Sequence, residues 1–270
     1  MPNEADLRKI VASKTAIYDA LFEQTKVALD ELGVANMNLS AYLAQPRITV
    51  AIINEAGIKD SIIAIYASVL EFAVAKLKEK WIDLPEIFVT TTASPGAWEV
   101  TITNDHRRPA ADGWHNISPS GLPYAYIAPG TGAYPFGTYR PGLLRRLIGK
   151  RWFSAQKEYT RSGCLTVLVH EALEMLVDPA IKTVSKPDSK GRNWLIEVCS
   201  SSVFGGYFGY KEPISGQWCV MPNFAFPSAF DLEGQAPFDH MGVLTAPFTW
   251  TPKSYPYYVD ANGKLVKILA

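Results

Sequence analysis

The chain has 270 residues, enough for a full hydrophobic core, and its 48% hydrophobic and 19% charged residues are typical of a globular protein. Its 26 Lys and Arg balance 26 Asp and Glu, so no overall charge favours nucleic acid or an anionic membrane. Three cysteines without CxxC spacing exclude a disulfide scaffold and a zinc ribbon, and no apolar run reaches the ~18 residues of a membrane span. The acidic first residues are unlike a secretory signal, so we expect a protein that no signal peptide exports.

Two regions are predicted. Residues 1–45 carry apolar side chains at helical spacing, with Gly33 as a plausible end, and predict an N-terminal helical segment. Residues 46–270 then form the main domain, whose last part is irregular and rich in aromatic residues and proline.

The main domain opens with a strand, a helix and two more strands. The β-branched run over 48–53 predicts a buried strand, and a helix follows over 60–80. Further strands are predicted over 87–92 and 98–103, joined by a hairpin through 94–96. This order predicts a βαβ-like unit followed by a hairpin.

The middle of the chain is dense in Pro, Gly, Tyr and Asn, and residues 107–142 are interpreted as loops around one strand at 125–128. A basic cluster follows, from Arg140 to Arg161. It is either a solvated helix side or a surface for phosphate, nucleic acid or an acidic partner. Because the whole chain is neutral, nucleic acid binding is not favoured.

Residues 212–252 contain no Lys or Arg, but carry five phenylalanines and two tryptophans. Such a segment either packs over the body of the protein or forms an interface with a protein partner or a second copy of the chain. Packing is the preferred interpretation.

The most informative segment is 164–178, whose apolar residues follow an unbroken i, i+3, i+4, i+7 pattern. It predicts a helix that ends near Asp178, because Pro179 disfavours continuation. His170, Glu174 and Asp178 lie one turn apart on the opposite side of this helix. Such a polar row is either a solvated helix face or part of a metal site.

The sequence around His170 has the pattern HExxE. Side chains at i and i+4 point the same way, so His170 and Glu174 can bind one ion, and Glu171 can act as general base as in HExxH hydrolases. A carboxylate is an acceptable zinc ligand, although it makes the site more anionic and less selective, so the expected cofactor is zinc or another divalent metal.

A third protein ligand is required, and several candidates are open. Asp178 lies on the same row of the helix, while His115 and His240 are isolated histidines. Glu197 ranks first, since its separation from the helix resembles that of the downstream glutamate in Glu-ligand zinc peptidases. His115, assigned to a loop, is alternatively a transition-state donor, and Cys164 and Cys199 are interpreted as buried, inert thiols.

The sequences HEALEMLVDP at 170–179 and IEVC at 196–199 resemble a family of phage and bacterial proteins with a zincin-like metallopeptidase helix. The upstream GWHN at 113–116 and GLPYA at 121–125, and the later PNFAFPSAF at 222–230, are similar to further stretches of that family. The likeness extends from about residue 48 to 230, and the helix motif is its specific part.

This resemblance implies a zincin-like α+β domain, with a small mixed sheet over an active-site helix. Carried over residue by residue, it makes His170 and Glu174 ligands and Glu171 the base. Val169 stands where the family usually has Ser, and Ser200 where it has Asp. Location in the host cytoplasm or in a virion is the corresponding expectation.

Two functions follow from these observations. The first is a zincin-like metal-dependent hydrolase of peptide or protein substrates. The second is a non-catalytic structural or interaction protein, such as a phage virion component, that retains the same scaffold without turnover. Bound metal at His170 discriminates between them.

Overall fold

The computed structural model of the protein describes residues 47–105, 112–129, 135–139, 159–161, 163–199, 206–251, 254, 256–260 and 263–268. This part of the chain has an α+β fold with mixed sheets. The predicted N-terminal helical segment and most of the basic cluster lie outside the described residues. The division of the chain into two regions depends on that segment and stays a prediction.

The described ranges contain two α-helices and one 3₁₀ helix. These are α1 (Asp60–Lys78), α2 (Cys164–Val177) and the 3₁₀ helix Pro227–Phe230. The strands are β1 (Arg47–Asn54), β2 (Glu86–Thr90), β3 (Trp98–Ile102), β4 (Gly113–Ile117), β5 (Pro123–Ile127), β6 (Thr138–Tyr139), β7 (Tyr159–Arg161), β8 (Val184–Pro187), β9 (Asn193–Leu195), β10 (Tyr207–Lys211), β11 (Trp218–Pro222), β12 (Tyr257–Val259) and β13 (Leu265–Lys267).

The largest sheet has five strands in the order β2–β1–β3–β5–β4. The first four run parallel, and β4 pairs antiparallel to β5 at the edge. A four-stranded sheet, β13–β12–β9–β8, and the pairs β10–β11 and β6–β7 complete the described strands. Sheet and helices together confirm the predicted α+β class.

Both helices pack on one face of the five-stranded sheet. Alternate residues of its inner strands are fully buried there, as expected for a face that helices cover; they are Val50, Ile52, Val100, Ile102, Ala125 and Ile127. Helix α1 contacts β1 and β2, and α2 contacts β4, β5 and β11, so α2 lies at the antiparallel edge. At the start of α2, the Thr166 hydroxyl accepts the Gly163 N–H and donates to the Val220 carbonyl.

The predicted hairpin through 94–96 is wrong. Strands β2 and β3 do not pair with each other but flank β1 on opposite sides, both parallel to it. Val50 is level with Val89 on one side and with Trp98 on the other. Because β3 begins near the level where β2 ends, a short connection suffices to cross β1.

The prediction of loops around a single strand in the middle region is also incomplete. A second strand, β4, precedes β5 and pairs with it, with His115 opposite Ala125. The aromatic segment packs into the core, in agreement with the preferred interpretation: four of its phenylalanines are buried, namely Phe224, Phe226, Phe230 and Phe238. No helix in the described ranges is long and apolar enough to cross a membrane.

Candidate metal centre

Helix α2 is buried on its polar side as well as on its apolar side. In the row of His170, Glu174 and Asp178, the two carboxylates are only 3% and 2% exposed, and the neighbouring Glu171 is 7% exposed. Isolated charges are rarely buried unless they are paired or hold a metal ion. The interpretation of this row as a solvated helix face is therefore wrong.

His170 and Glu174 form a close pair on α2. His170 Nε2 lies 3.3 Å from Glu174 Oε2, and both side chains lie at the wall of a pocket. Two ligands placed 2.0–2.1 Å from a tetrahedral zinc ion are themselves about 3.3 Å apart. The two side chains form an ion pair at this distance, and the same spacing and donor chemistry suit a shared divalent ion.

The second oxygen of Glu174 is held by the backbone after β9. The Cys199 N–H donates to Glu174 Oε1 at 3.2 Å, which fixes the carboxylate plane and leaves Oε2 near His170. The Cys199 thiol, His170 and Glu174 each offer a donor atom, and the three atoms lie within 4.8 Å of one another. The predicted burial of Cys199 is confirmed, but its thiol is a possible metal donor, and in the sequence only its position directly after Ile196-Glu197-Val198 points to the site.

A histidine from the edge strand supports Glu171. His115 is buried on β4, not in a loop as predicted, and its Nδ1 lies 3.1 Å from Glu171 Oε2. The donor atoms of His115, Glu171 and Glu174 also lie within 4.8 Å of one another. The structure thus brings a sequence-predicted histidine from β4 to the helix.

The pocket beside these residues has a volume of about 320 Å³. Its polar wall contains His115, His170, Glu171, Glu174 and Glu197. Its remaining wall is formed by Gly113, Trp114, Ile181, Leu195, Tyr257 and Leu265. Glu197, the first-ranked third ligand, thus reaches the same pocket as His170.

The charges of the pocket perturb one another strongly. Burial alone would lower the pKa of His170, but Glu174, Glu171 and Glu197 raise it to about 9. Burial, and then the charge of Glu174, raise the pKa of Glu197 to about 8, although His170 and His115 oppose the shift. Burial also raises the pKa of the Cys199 thiol well above its usual value, with Glu174 acting in the same direction.

The pKa of His115 rises for a similar reason. Burial alone would lower it, but the hydrogen bond to Glu171 and the charge of Glu174 raise it. Among the described residues, the pocket lining contains no lysine or arginine that could balance three carboxylates. Perturbed titratable groups that converge on one pocket are typical of functional sites.

Two of the candidate ligands lie elsewhere. Asp178 is buried at the C-terminal end of α2. Its carboxylate oxygens accept hydrogen bonds from the backbone N–H groups of Lys182 and Thr183 and from the Thr183 hydroxyl. His240 stacks on the ring of Phe224 with the two centroids 4.9 Å apart. Neither residue lines the pocket or belongs to a donor group of the described residues.

The described residues therefore contain two overlapping groups that could hold a metal ion, joined by Glu174. Comparison of the chain with protein-family models, with curated proteins and with solved structures gives no match.

Proposed function

We propose that the protein is a zincin-like, metal-dependent hydrolase that cleaves peptide or protein substrates in the pocket beside α2. The observation that carries this proposal is the 3.3 Å spacing of His170 Nε2 and Glu174 Oε2, with the carboxylate of Glu171 in the same pocket. Two donors for one ion beside a carboxylate are what hydrolysis by activated water requires.

His170 and Glu174 would hold the ion, with Glu197 or Cys199 as the third protein ligand. An imidazole with two anionic donors suits zinc, the first candidate among divalent metals. Bound zinc would supply Lewis acidity, lowering the pKa of water and polarising a substrate carbonyl.

Glu171 is assigned the role of general base. It would accept a proton from water as the water attacks the carbonyl, and would then donate that proton to the leaving amine. His115, 3.1 Å from Glu171, fixes the position of this carboxylate. The imidazole is also near enough to the pocket to stabilise negative charge that develops on the substrate.

The apolar wall of the pocket indicates which part of a substrate enters it. Trp114, Tyr257 and Leu265 add aromatic and aliphatic surface to the same pocket as the charged residues. We therefore expect cleavage beside an apolar side chain of the peptide rather than beside a charged one.

Metal content and peptide hydrolysis test the proposal. Protein purified without chelator should contain about one equivalent of zinc, and the double variant His170→Ala, Glu174→Ala should lose it. Glu171→Gln should retain the metal but lose hydrolysis of an unfolded protein such as casein. His240→Ala is the matched control, since this histidine lies outside the pocket.

Two results would count against the proposal. Absence of metal from the wild type, even after zinc is added back, would contradict the metal centre and favour the structural or interaction protein. Full hydrolysis by Glu171→Gln would contradict the assigned base.

A further inference from the structure

We propose that the third protein ligand of the metal is the thiolate of Cys199, so that the centre is a His170–Glu174–Cys199 site. This inference rests on the proposed function, because it specifies the ligand set of the same site. It removes Glu197 from the metal's ligands and leaves that carboxylate in the pocket.

The backbone places Cys199 next to the metal-binding pair. Its N–H donates to Glu174 Oε1 at 3.2 Å, while Glu174 Oε2 is 3.3 Å from His170 Nε2. The same carboxylate therefore contacts the imidazole of His170 and the backbone N–H of Cys199. The sulfur, the imidazole nitrogen and a carboxylate oxygen lie within 4.8 Å of one another, close enough for one ion to draw them together.

Glu197, unlike Cys199, does not belong to a group of neighbouring donor atoms in the described residues. It lines the pocket, but among the described residues it belongs to neither group of three donor atoms within 4.8 Å. Cys199 is 2% exposed and does not line the pocket. Its sulfur would therefore reach the ion from the protein interior and leave the pocket side open for water and substrate, as a catalytic metal site requires.

The chemistry of this donor set also favours the thiolate. One carboxylate and one thiolate balance the charge of a divalent cation, with a neutral imidazole as the third donor. The thiol would release its proton to solvent when the ion binds. A soft sulfur ligand favours zinc over magnesium, calcium or manganese more strongly than a second carboxylate in its place would.

Two other buried cysteines provide matched controls. Cys164 begins α2 and Cys219 lies on β11, and both are free and buried like Cys199. Neither belongs to a donor group of the described residues. Serine substitutions at these two positions therefore change a buried thiol without changing the metal site.

Substitution with Co²⁺ tests the inference, because cobalt bound to thiolate gives a sulfur-to-metal charge-transfer band in the near ultraviolet. We expect this band in the wild type and in Cys164→Ser and Cys219→Ser. In Cys199→Ser it should vanish while visible d–d bands persist. The Kd for Co²⁺ should rise at least about tenfold, the loss typical even of outer-shell partners.

The outcomes separate the two proposals. Visible d–d bands without a charge-transfer band in the wild type would overturn the thiolate ligand and leave the metal centre intact. No cobalt spectrum at all would overturn the proposed function itself. If Cys199→Ser fails to fold, the wild-type band and its persistence in both control variants still assign the thiolate by elimination, whereas its loss in either control would assign it elsewhere.

Discussion

Gly113 on β4 lies directly against Glu171 on α2. A Cβ atom at position 113 would come within 2.9 Å of Glu171 Cγ and within 2.5 Å of Val167 Cγ1. The strand that carries His115 can therefore approach the helix only because residue 113 has no side chain. This contact sets the distance at which the histidine meets the Glu171 carboxylate.

Gly113→Ala should push β4 away from α2. We expect a loss of about 1–3 kcal/mol in the free energy of unfolding, the usual cost of overpacking, together with lower hydrolysis at unchanged metal content. Urea unfolding and peptide cleavage measure the two effects. Combining it with Val167→Ala removes one clashing methyl group, so the double variant should lose less than the sum of the single losses. Strict additivity would show that the contact does not set the strand position.

His115→Ala should leave the metal bound but slow the reaction. Loss of the Nδ1 partner frees Glu171, and we expect kcat to fall by about 10–100-fold, the effect typical of outer partners in metal sites. His115→Gln, which can still donate a hydrogen bond, should recover part of the activity. Asn116→Ala on the same strand is the control, because Asn116 does not line the pocket. Equal activity of His115→Ala and wild type would remove His115 from the mechanism.

Periodicity predicted much of the framework. Strands β1 to β3 and helices α1 and α2 lie where β-branched runs and the helical apolar pattern placed them. Strand β4 was missed because residues 113–117 lack apolar alternation and depend on pairing with β5 and on the close contact at Gly113. The parallel partnership of β1 with β3 depends likewise on tertiary pairing, which local pattern does not contain.

The candidate site likewise combines residues that local spacing predicts with a residue that only the tertiary fold brings near. His170, Glu171 and Glu174 are three members of one helix, so their spacing in sequence fixes their spacing in space. Cys199 joins them only through the chain path after β9, and its apolar neighbours make it look like a core cysteine such as Cys219. Long-range contacts of this kind leave no periodic signal in a single sequence.

Asp178→Asn should weaken the fold without releasing the metal. Its carboxylate accepts N–H groups of Lys182 and Thr183 in the turn after α2. Asn keeps one acceptor oxygen but loses the charge and the second oxygen, so the substitution should cost about 1–3 kcal/mol. Metal analysis and urea unfolding separate the two effects. Thr183→Val, which removes only the hydroxyl donor, should cost less. Metal loss from folded Asp178→Asn would instead restore Asp178 as a ligand.

Asp188 should make stability depend on pH in the acid range. Burial alone would raise its pKa, but hydrogen bonds from Arg192, and then from Trp194 and Lys190, lower it from 3.8 to about 2. A carboxylate with a lowered folded-state pKa stabilises the protein above 3.8, and this contribution is lost as the pH falls through about 2. We expect it to be on the order of 1 kcal/mol at neutral pH, because Arg192 is partly exposed and water screens the pair.

Urea unfolding of wild type and Asp188→Asn at pH 6 and pH 3 checks this expectation. A chelator keeps both proteins metal-free, so that acid release of metal does not contribute. The difference in unfolding free energy between the two proteins should be smaller at pH 3, because unfolded Asp188 is then mostly protonated and the native carboxylate loses its advantage. Asp231→Asn, which removes an ion pair to the exposed Lys186, is the surface control and should give a much smaller difference at both pH values. A difference for Asp188→Asn that grows toward pH 3 would show that the carboxylate destabilises the native state, contrary to its hydrogen bonds.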